Sequence, residues 1–110
     1  MTVKVTTDKT FDKDTAKGVT LTDMWATWCG PCKMQTPVVE QLSQEMGDKV
    51  NFTKLDVDAN PKVPQEFGVR SIPTLLIKKD GKQVDSLIGF HPKDQLKKIL
   101  SKYISTQKAN

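Results

Sequence analysis

The chain has 110 residues, of which 36% are hydrophobic and 27% charged, and carries a formal net charge of +4. That length suits one compact domain with its own core, and the composition excludes a disordered, fibrous or membrane-embedded chain. The basic excess gathers towards the C-terminus (Lys93, Lys97, Lys98, Lys102, Lys108) without interleaved aromatics or a nucleic-acid motif, so it reads as a solvated helix face and not as a nucleic-acid surface.

Val3 to Thr6 is predicted as a short edge strand. The polar stretch Asp8 to Lys17 follows, turning Phe11 and Ala16 towards the core and ending at Gly18, a helix-stop residue. Val19 to Ala26 is rich in β-branched and aromatic residues and reads as a strand. After it, Met34, Val38, Val39, Leu42 and Met46 recur at helical spacing up to Gly47. Pro37 lies inside this helix, removes one hydrogen bond and bends it. Val50 to Val57 is a second strong strand. Asn60-Pro61 then offers a cap and a first-turn proline for a short helix, limited by Pro64 and closed by Gly68. Thr74 to Ile77 and Gln83 to Ile88 flank Lys78-Lys79-Asp80-Gly81-Lys82, whose Asp-Gly step signals an antiparallel hairpin. Pro92 opens a last helix with Leu96, Ile99, Leu100 and Tyr103 on one face, and the polar tail Ser105 to Asn110 is expected to fray. The order β-α-β-α-β-α-β-β-α implies an α/β domain with a mixed central sheet and helices on both faces.

Both cysteines, Cys29 and Cys32, fall in one C-x-x-C between a strand and a helix, which leaves none for a structural framework. A helix starting at the motif puts Cys29 at its N-terminus, where free backbone N–H groups and the macrodipole favour a thiolate, so Cys29 is the expected nucleophile. Cys32 lies one turn further in, shielded but within reach, and is the expected resolving thiol. The alternatives are inert core thiols or a zinc half-site, but zinc wants four ligands and only His91 could join the pair without recruiting carboxylates. No metal is therefore expected. Asp23 interrupts an apolar strand six residues before Cys29. Burial there would raise its pKa and suit it to accept a proton near neutrality; otherwise it only caps or turns the chain. No run is long enough to cross a membrane, and Met1 to Thr10 lacks the apolar stretch of a signal peptide, so an intracellular setting is expected.

The run Trp25-Ala26-Thr27-Trp28-Cys29-Gly30-Pro31-Cys32-Lys33-Met34 closely resembles the thioredoxin family. The resemblance continues through Lys54-Leu55-Asp56-Val57-Asp58, Val69-Arg70-Ser71-Ile72-Pro73-Thr74 and Gly89, and spans about the whole chain from Val3 to Tyr103. It implies a thioredoxin fold with a five-stranded mixed sheet in a single domain, and a monomeric cytoplasmic protein that reduces protein disulfides. By the same resemblance Cys29 attacks, Cys32 resolves, Asp23 is the buried acid and Lys54 its charged neighbour. Pro73 corresponds to a cis-proline facing the dithiol, with Trp28, Ile72, Pro73 and Gly89 as a docking surface along which a substrate chain can pair like an added strand. Gly30-Pro31 between the cysteines, where oxidising relatives tend to carry a histidine, implies a reductant. No bound cofactor is implied beyond the redox-active disulfide. NADPH and flavin act indirectly, through thioredoxin reductase. Implied substrates include ribonucleotide reductase, peroxiredoxin and methionine sulfoxide reductase.

The chain departs from the family pattern near the motif. Thr20 and Thr22 replace apolar strand residues, Met24 replaces Phe, and Gln35-Thr36 replaces an apolar pair. A threonine hydroxyl beside Asp23 is expected to donate to its carboxylate and to weaken the rise in its pKa. His91 is expected either as an exposed residue before the last helix or at the rim of the docking surface. The rival readings are an oxidase or pathway-specific reductant of an exported compartment, against which the missing signal sequence counts, and a docking subunit that uses Trp28 and Pro73 without redox chemistry.

Overall fold

The computed structural model describes residues 2–108. The elements come in the expected order: β1 (Lys4–Val5), α1 (Phe11–Asp14), β2 (Val19–Trp25), α2 (Gly30–Met46), β3 (Val50–Asp56), α3 (Lys62–Glu66), β4 (Thr74–Lys79), β5 (Lys82–Ile88) and α4 (Lys93–Lys108). The five strands form one sheet in the order β1-β3-β2-β4-β5. β3 pairs in parallel with both β1 and β2, whereas β4 runs antiparallel to β2 and to β5. The sheet is mixed, as expected.

Alternation along the strands sorts two cores. On one face Val19 and Leu21 of β2, Val50 and Phe52 of β3, and Leu75 and Ile77 of β4 pack against Val39, Leu42 and Met46 of α2 and Leu96 and Leu100 of α4. On the other, Met24, Leu55 and Leu76 meet Phe11 of α1 and Val63 of α3. Glu45 ties α2 to α4 by accepting from Lys93 and Lys97, each at 2.8 Å, and these contacts hold its carboxyl down to about 2.

Several local expectations change in the folded chain. The first helix is a single turn, and Ala16 is exposed, while Thr15 is buried with its hydroxyl donating to the Phe11 carbonyl at 2.7 Å. In α2 the buried stripe is Cys32, Gln35, Val39, Leu42, Ser43 and Met46, leaving Met34 61% exposed. Two residues at about 100° each carry Met34 to the far side of the helix from Cys32. Asn60 does not cap α3. Its side chain instead accepts from the Asp8 N–H and donates to the Asp56 carbonyl, and the Asp8 carboxylate accepts from Lys62 and Val63 N–H at 3.1 and 2.9 Å. The expected fraying of Ser105 to Asn110 lies partly outside the described residues, and α4 runs on to Lys108.

The hairpin turn is tighter than the five residues suggested. Asp80 and Gly81 alone make it, with φ of 50° and 86°, the geometry of a two-residue turn with both central residues left-handed. Lys78 therefore belongs to β4 and points inwards, 3% exposed. Its ammonium donates to Thr15 Oγ1 at 2.8 Å and lies 4.6 Å from the Phe11 ring centre and 5.7 Å from that of Phe67. Burial lowers its pKa, but the aromatic faces and the hydroxyl compensate part of the lost hydration.

The same face contains a cost without visible compensation. Thr20, beside Lys78 in the β2–β4 register, is fully buried and its hydroxyl has no hydrogen-bond partner. Thr20→Val is expected to raise the free energy of unfolding by about 1 kcal/mol, because an unpaired buried hydroxyl costs more than the methyl that replaces it. A urea midpoint at or below that of the wild type would contradict this assignment.

Candidate active site

β2 ends at Trp25, and the chain turns through Ala26 to Trp28 before α2 starts at Gly30. Cys29 is the N-cap, extended at φ −91° and ψ 111°, and the Cys32 N–H donates to its Sγ at 3.2 Å. An N-terminal N–H of the helix is thus aimed at the Cys29 sulfur, where it stabilises negative charge. Pro31 fits this first turn because its missing N–H would have no intrahelical acceptor.

Cys29 and Cys32 form a disulfide, with Cα atoms 5.3 Å apart. The structure is therefore the oxidised form. Both residues are nearly covered, Cys29 at 4% and Cys32 at 2%, so burial alone does not separate their roles. Their surroundings do. Cys29 Sγ lies 3.7 Å from the Ile72 carbonyl oxygen, at the junction with the cis Ile72–Pro73 bond, whereas Cys32 lies inside the first turn of α2.

Asp23 is 2% exposed on the central strand, and Oδ1 has no hydrogen-bond partner. Burial pushes its carboxyl up to about 7, against the opposing field of Lys54, its register partner on β3. Among the described residues the two make no ion pair. The expected help from threonine is absent: Thr53 Oγ1 donates to the Leu21 carbonyl and accepts from Thr22 Oγ1 at 2.7 Å. Alternation is the reason, since Thr20 and Thr22 point to the face opposite Asp23. No threonine hydroxyl counters the burial of the carboxyl, and the opposing influence is the charge of Lys54.

Of the other expected residues, Ile72 packs against the cysteines together with Trp25, Ala26 and Val57. Trp28 is 69% exposed, and its indole Nε1 donates to Asp58 Oδ2 at 2.8 Å, which fixes the ring at the surface. A cleft of about 370 Å³ opens between Trp28, Val57, Pro64, Val69, Arg70, Ser71 and Ile72. The Gly89 N–H donates to the Pro73 carbonyl at 2.8 Å, with Gly89 at φ +88°, where a side chain would be strained. His91 is half-buried, not exposed, with ring Nδ1 2.8 Å from the Gly89 carbonyl oxygen.

Two residues near the site had no role from the sequence. Asp58, which orients Trp28, follows β3 without a local signal linking it to an indole thirty residues away. Gln35 is fully buried and bonds the His91 backbone through both amide atoms. Its polarity inside an apolar helical stripe was a signal, but the partner was not. Among the described residues no cluster of side chains could hold a metal ion, and no helix is long and apolar enough to cross a membrane.

Comparison with known proteins agrees with this geometry. The thioredoxin family model matches residues 2–102. The thioredoxin of Listeria monocytogenes is 53% identical over 102 residues, covering 93% of this chain and 99% of the relative. That of Bacillus subtilis is 49% identical over 104 residues, covering 94% and 100%. The crystal structure of Malassezia sympodialis thioredoxin superposes with a TM-score of 0.86 at 38% identity, over 94% of this chain and 91% of that one. With a helix-capping Cys29 bonded to Cys32 beside a cis-proline, and relatives of this closeness over nearly its full length, the chain belongs to the thioredoxin family and is a thiol-disulfide oxidoreductase.

Proposed function

We propose that the protein reduces protein disulfides in the order Cys29 then Cys32, with Asp23 receiving the proton that Cys32 must lose. The observation that carries this reading is the Cys29 sulfur, which accepts an N–H at the helix N-terminus while facing the Ile72 carbonyl beside Pro73. In the reduced protein the Cys29 thiolate attacks one sulfur of a substrate disulfide. A Cys29–substrate bond forms, the substrate S–S bond breaks, and the departing sulfur leaves as a thiolate that takes up a proton. Cys32 then transfers its proton towards the Asp23 carboxylate and attacks Cys29 Sγ, which releases the second substrate thiolate and leaves the intramolecular disulfide.

An acid at about 7 suits this second step, because near neutrality a large share is ionised and able to accept a proton. Lys54 keeps that share from falling further. Trp28, Ile72, Pro73 and Gly89 form the proposed docking surface, with the substrate chain running along the Ile72 backbone. Gly30-Pro31 adds no group that would hold the dithiol reduced more strongly, which supports a reductant. The oxidised protein is re-reduced by thioredoxin reductase, through which NADPH and flavin act. The proposed setting is the cytoplasm and the proposed state a monomer. Ribonucleotide reductase, peroxiredoxin and methionine sulfoxide reductase are the proposed substrates.

Insulin reduction tests the order of attack. Cys32→Ser is expected to stop multiple turnover and to accumulate mixed disulfides through Cys29, visible by mass spectrometry without reductant. Cys29→Ser is expected to show neither, and insulin reduction by that variant would overturn the assignment.

Asp23 gives a pH test. Its ordinary value is 3.8 and its folded value about 7, so the native state holds the proton more tightly. The stability this contributes is complete below the unfolded value and is lost as pH rises through about 7. Asp23→Asn cannot ionise and is expected to gain on the wild type between about pH 5 and pH 8, by about 2–4 kcal/mol in all. A margin that stays constant with pH would show that Asp23 does not titrate in this range.

A further inference from the structure

Gln35 lies three residues after Cys32 on α2 and is fully buried in the helix stripe that also carries Val39, Leu42, Ser43 and Met46. Its Nε2 donates to the His91 carbonyl at 3.0 Å, and the His91 N–H donates to its Oε1 at 2.8 Å. The side-chain amide thus pairs with both backbone groups of one residue, as a neighbouring strand would. The paired segment lies between the end of β5 at Ile88 and the start of α4 at Lys93, where neither sheet nor helix fixes the chain.

From this segment two hydrogen bonds and one close sulfur–carbonyl contact lead back to the dithiol. His91 Nδ1 meets the Gly89 carbonyl at 2.8 Å, the Gly89 N–H donates to the Pro73 carbonyl at 2.8 Å, and Cys29 Sγ lies 3.7 Å from the carbonyl of Ile72, the residue before Pro73. α2 closes the ring, since it carries Cys29 at its cap and both Cys32 and Gln35 within its first turns. Ile88 and Phe90, on either side of Gly89, remain 68% and 39% exposed. Among the described residues the other hydrogen bonds of this segment are the Gly89–Pro73 bond and the His91 ring contact within the turn.

We infer that Gln35 is a positioning residue for substrate recognition: its amide clamps the Gly89–His91 loop to the helix that bears the dithiol, and so keeps the rim of the docking surface preformed for a polypeptide chain. The inference rests on the docking surface proposed above. Among the described residues the hydrogen bonds of the Gln35 amide go to His91 and to neither sulfur, so it acts on the association of a protein disulfide and not on sulfur exchange itself. A small disulfide, which needs no rim, is indifferent to it. Preforming the loop removes an ordering cost that each binding event would otherwise meet.

The test compares two substrates against one reduced protein in stopped flow: insulin, and the small aromatic disulfide dithiobis(nitrobenzoate). Gln35→Met keeps the length and volume of the side chain but removes both hydrogen bonds, and Gln35→Leu is the second variant should the first fold poorly. The rate constant with insulin is expected to fall about 3- to 10-fold, the effect of losing one or two modest hydrogen bonds. The rate with the small disulfide is expected to stay within about twofold of wild type, while the His91 amide exchanges its hydrogen faster. An unchanged insulin rate, or an equal fall with both substrates, overturns the inference while leaving the dithiol chemistry intact. A wild-type protein that reduces the small disulfide but not insulin overturns both the docking reading and this one.

Discussion

Strand β2 lies at the centre of the sheet, between β3 and β4, and its residues from Val19 to Met24 are buried on both faces. Side chains along it must alternate between two closed cores. The functional arrangement depends on this constraint. Asp23 is committed to the face covered by α2 and α4, while Thr20, Thr22 and Met24 are committed to the face of α1 and α3. The C-terminal end of the same strand delivers the chain to Cys29 at the start of α2. Strand, cap and proposed nucleophile are fixed in one covalent run, and slipping β2 by one residue would exchange its two faces and move the carboxyl away from the dithiol side.

Four buried polar residues show different responses to the loss of water. Lys78 finds a hydroxyl and two aromatic faces, and Gln35 finds a peptide unit matching its amide. Thr20 finds no partner and merely costs stability. Asp23 Oδ1 also finds none, but a carboxyl can respond by holding its proton, which raises its pKa to about 7. In the first two cases burial is compensated by geometry. In Asp23 the uncompensated part is what the proposed proton transfer would use, because proton exchange near neutrality needs an acid displaced from its ordinary range.

The dithiol is enclosed by segments far apart in the chain: α2 with its cap, the Ile72–Pro73 turn, the Gly89–His91 loop and, at the outer edge, Trp28 held by Asp58. Most of these ties involve a backbone carbonyl or amide, so they constrain main-chain position more than side-chain identity. Segments held this way suit the proposed docking surface, along which a substrate chain would pair with the main chain.

The order of elements, the mixed sheet, the helix that begins at the dithiol and the residues of its motif can be read along the chain. Each of these rests on local information: the period of apolar residues, the turn chemistry of Asp80-Gly81 and the covalent limits of proline and glycine. Cys29, Cys32 and Asp23 stood out from the C-x-x-C spacing and from an acid within an apolar strand, whereas Lys54, Trp28, Ile72, Pro73 and Gly89 were expected only from the family resemblance. Tertiary structure decided what depends on contacts between distant segments. It gave the cap of α3 to Asp8 and not to Asn60, took Met34 out of the core, buried Lys78 between Phe11 and Phe67, turned Thr22 towards Thr53 instead of Asp23, and joined Gln35 to His91. A polar side chain near the sequence position of a core residue announces that it will need a partner. Which group supplies one is settled only when the folded chain brings together residues fifty or sixty positions apart.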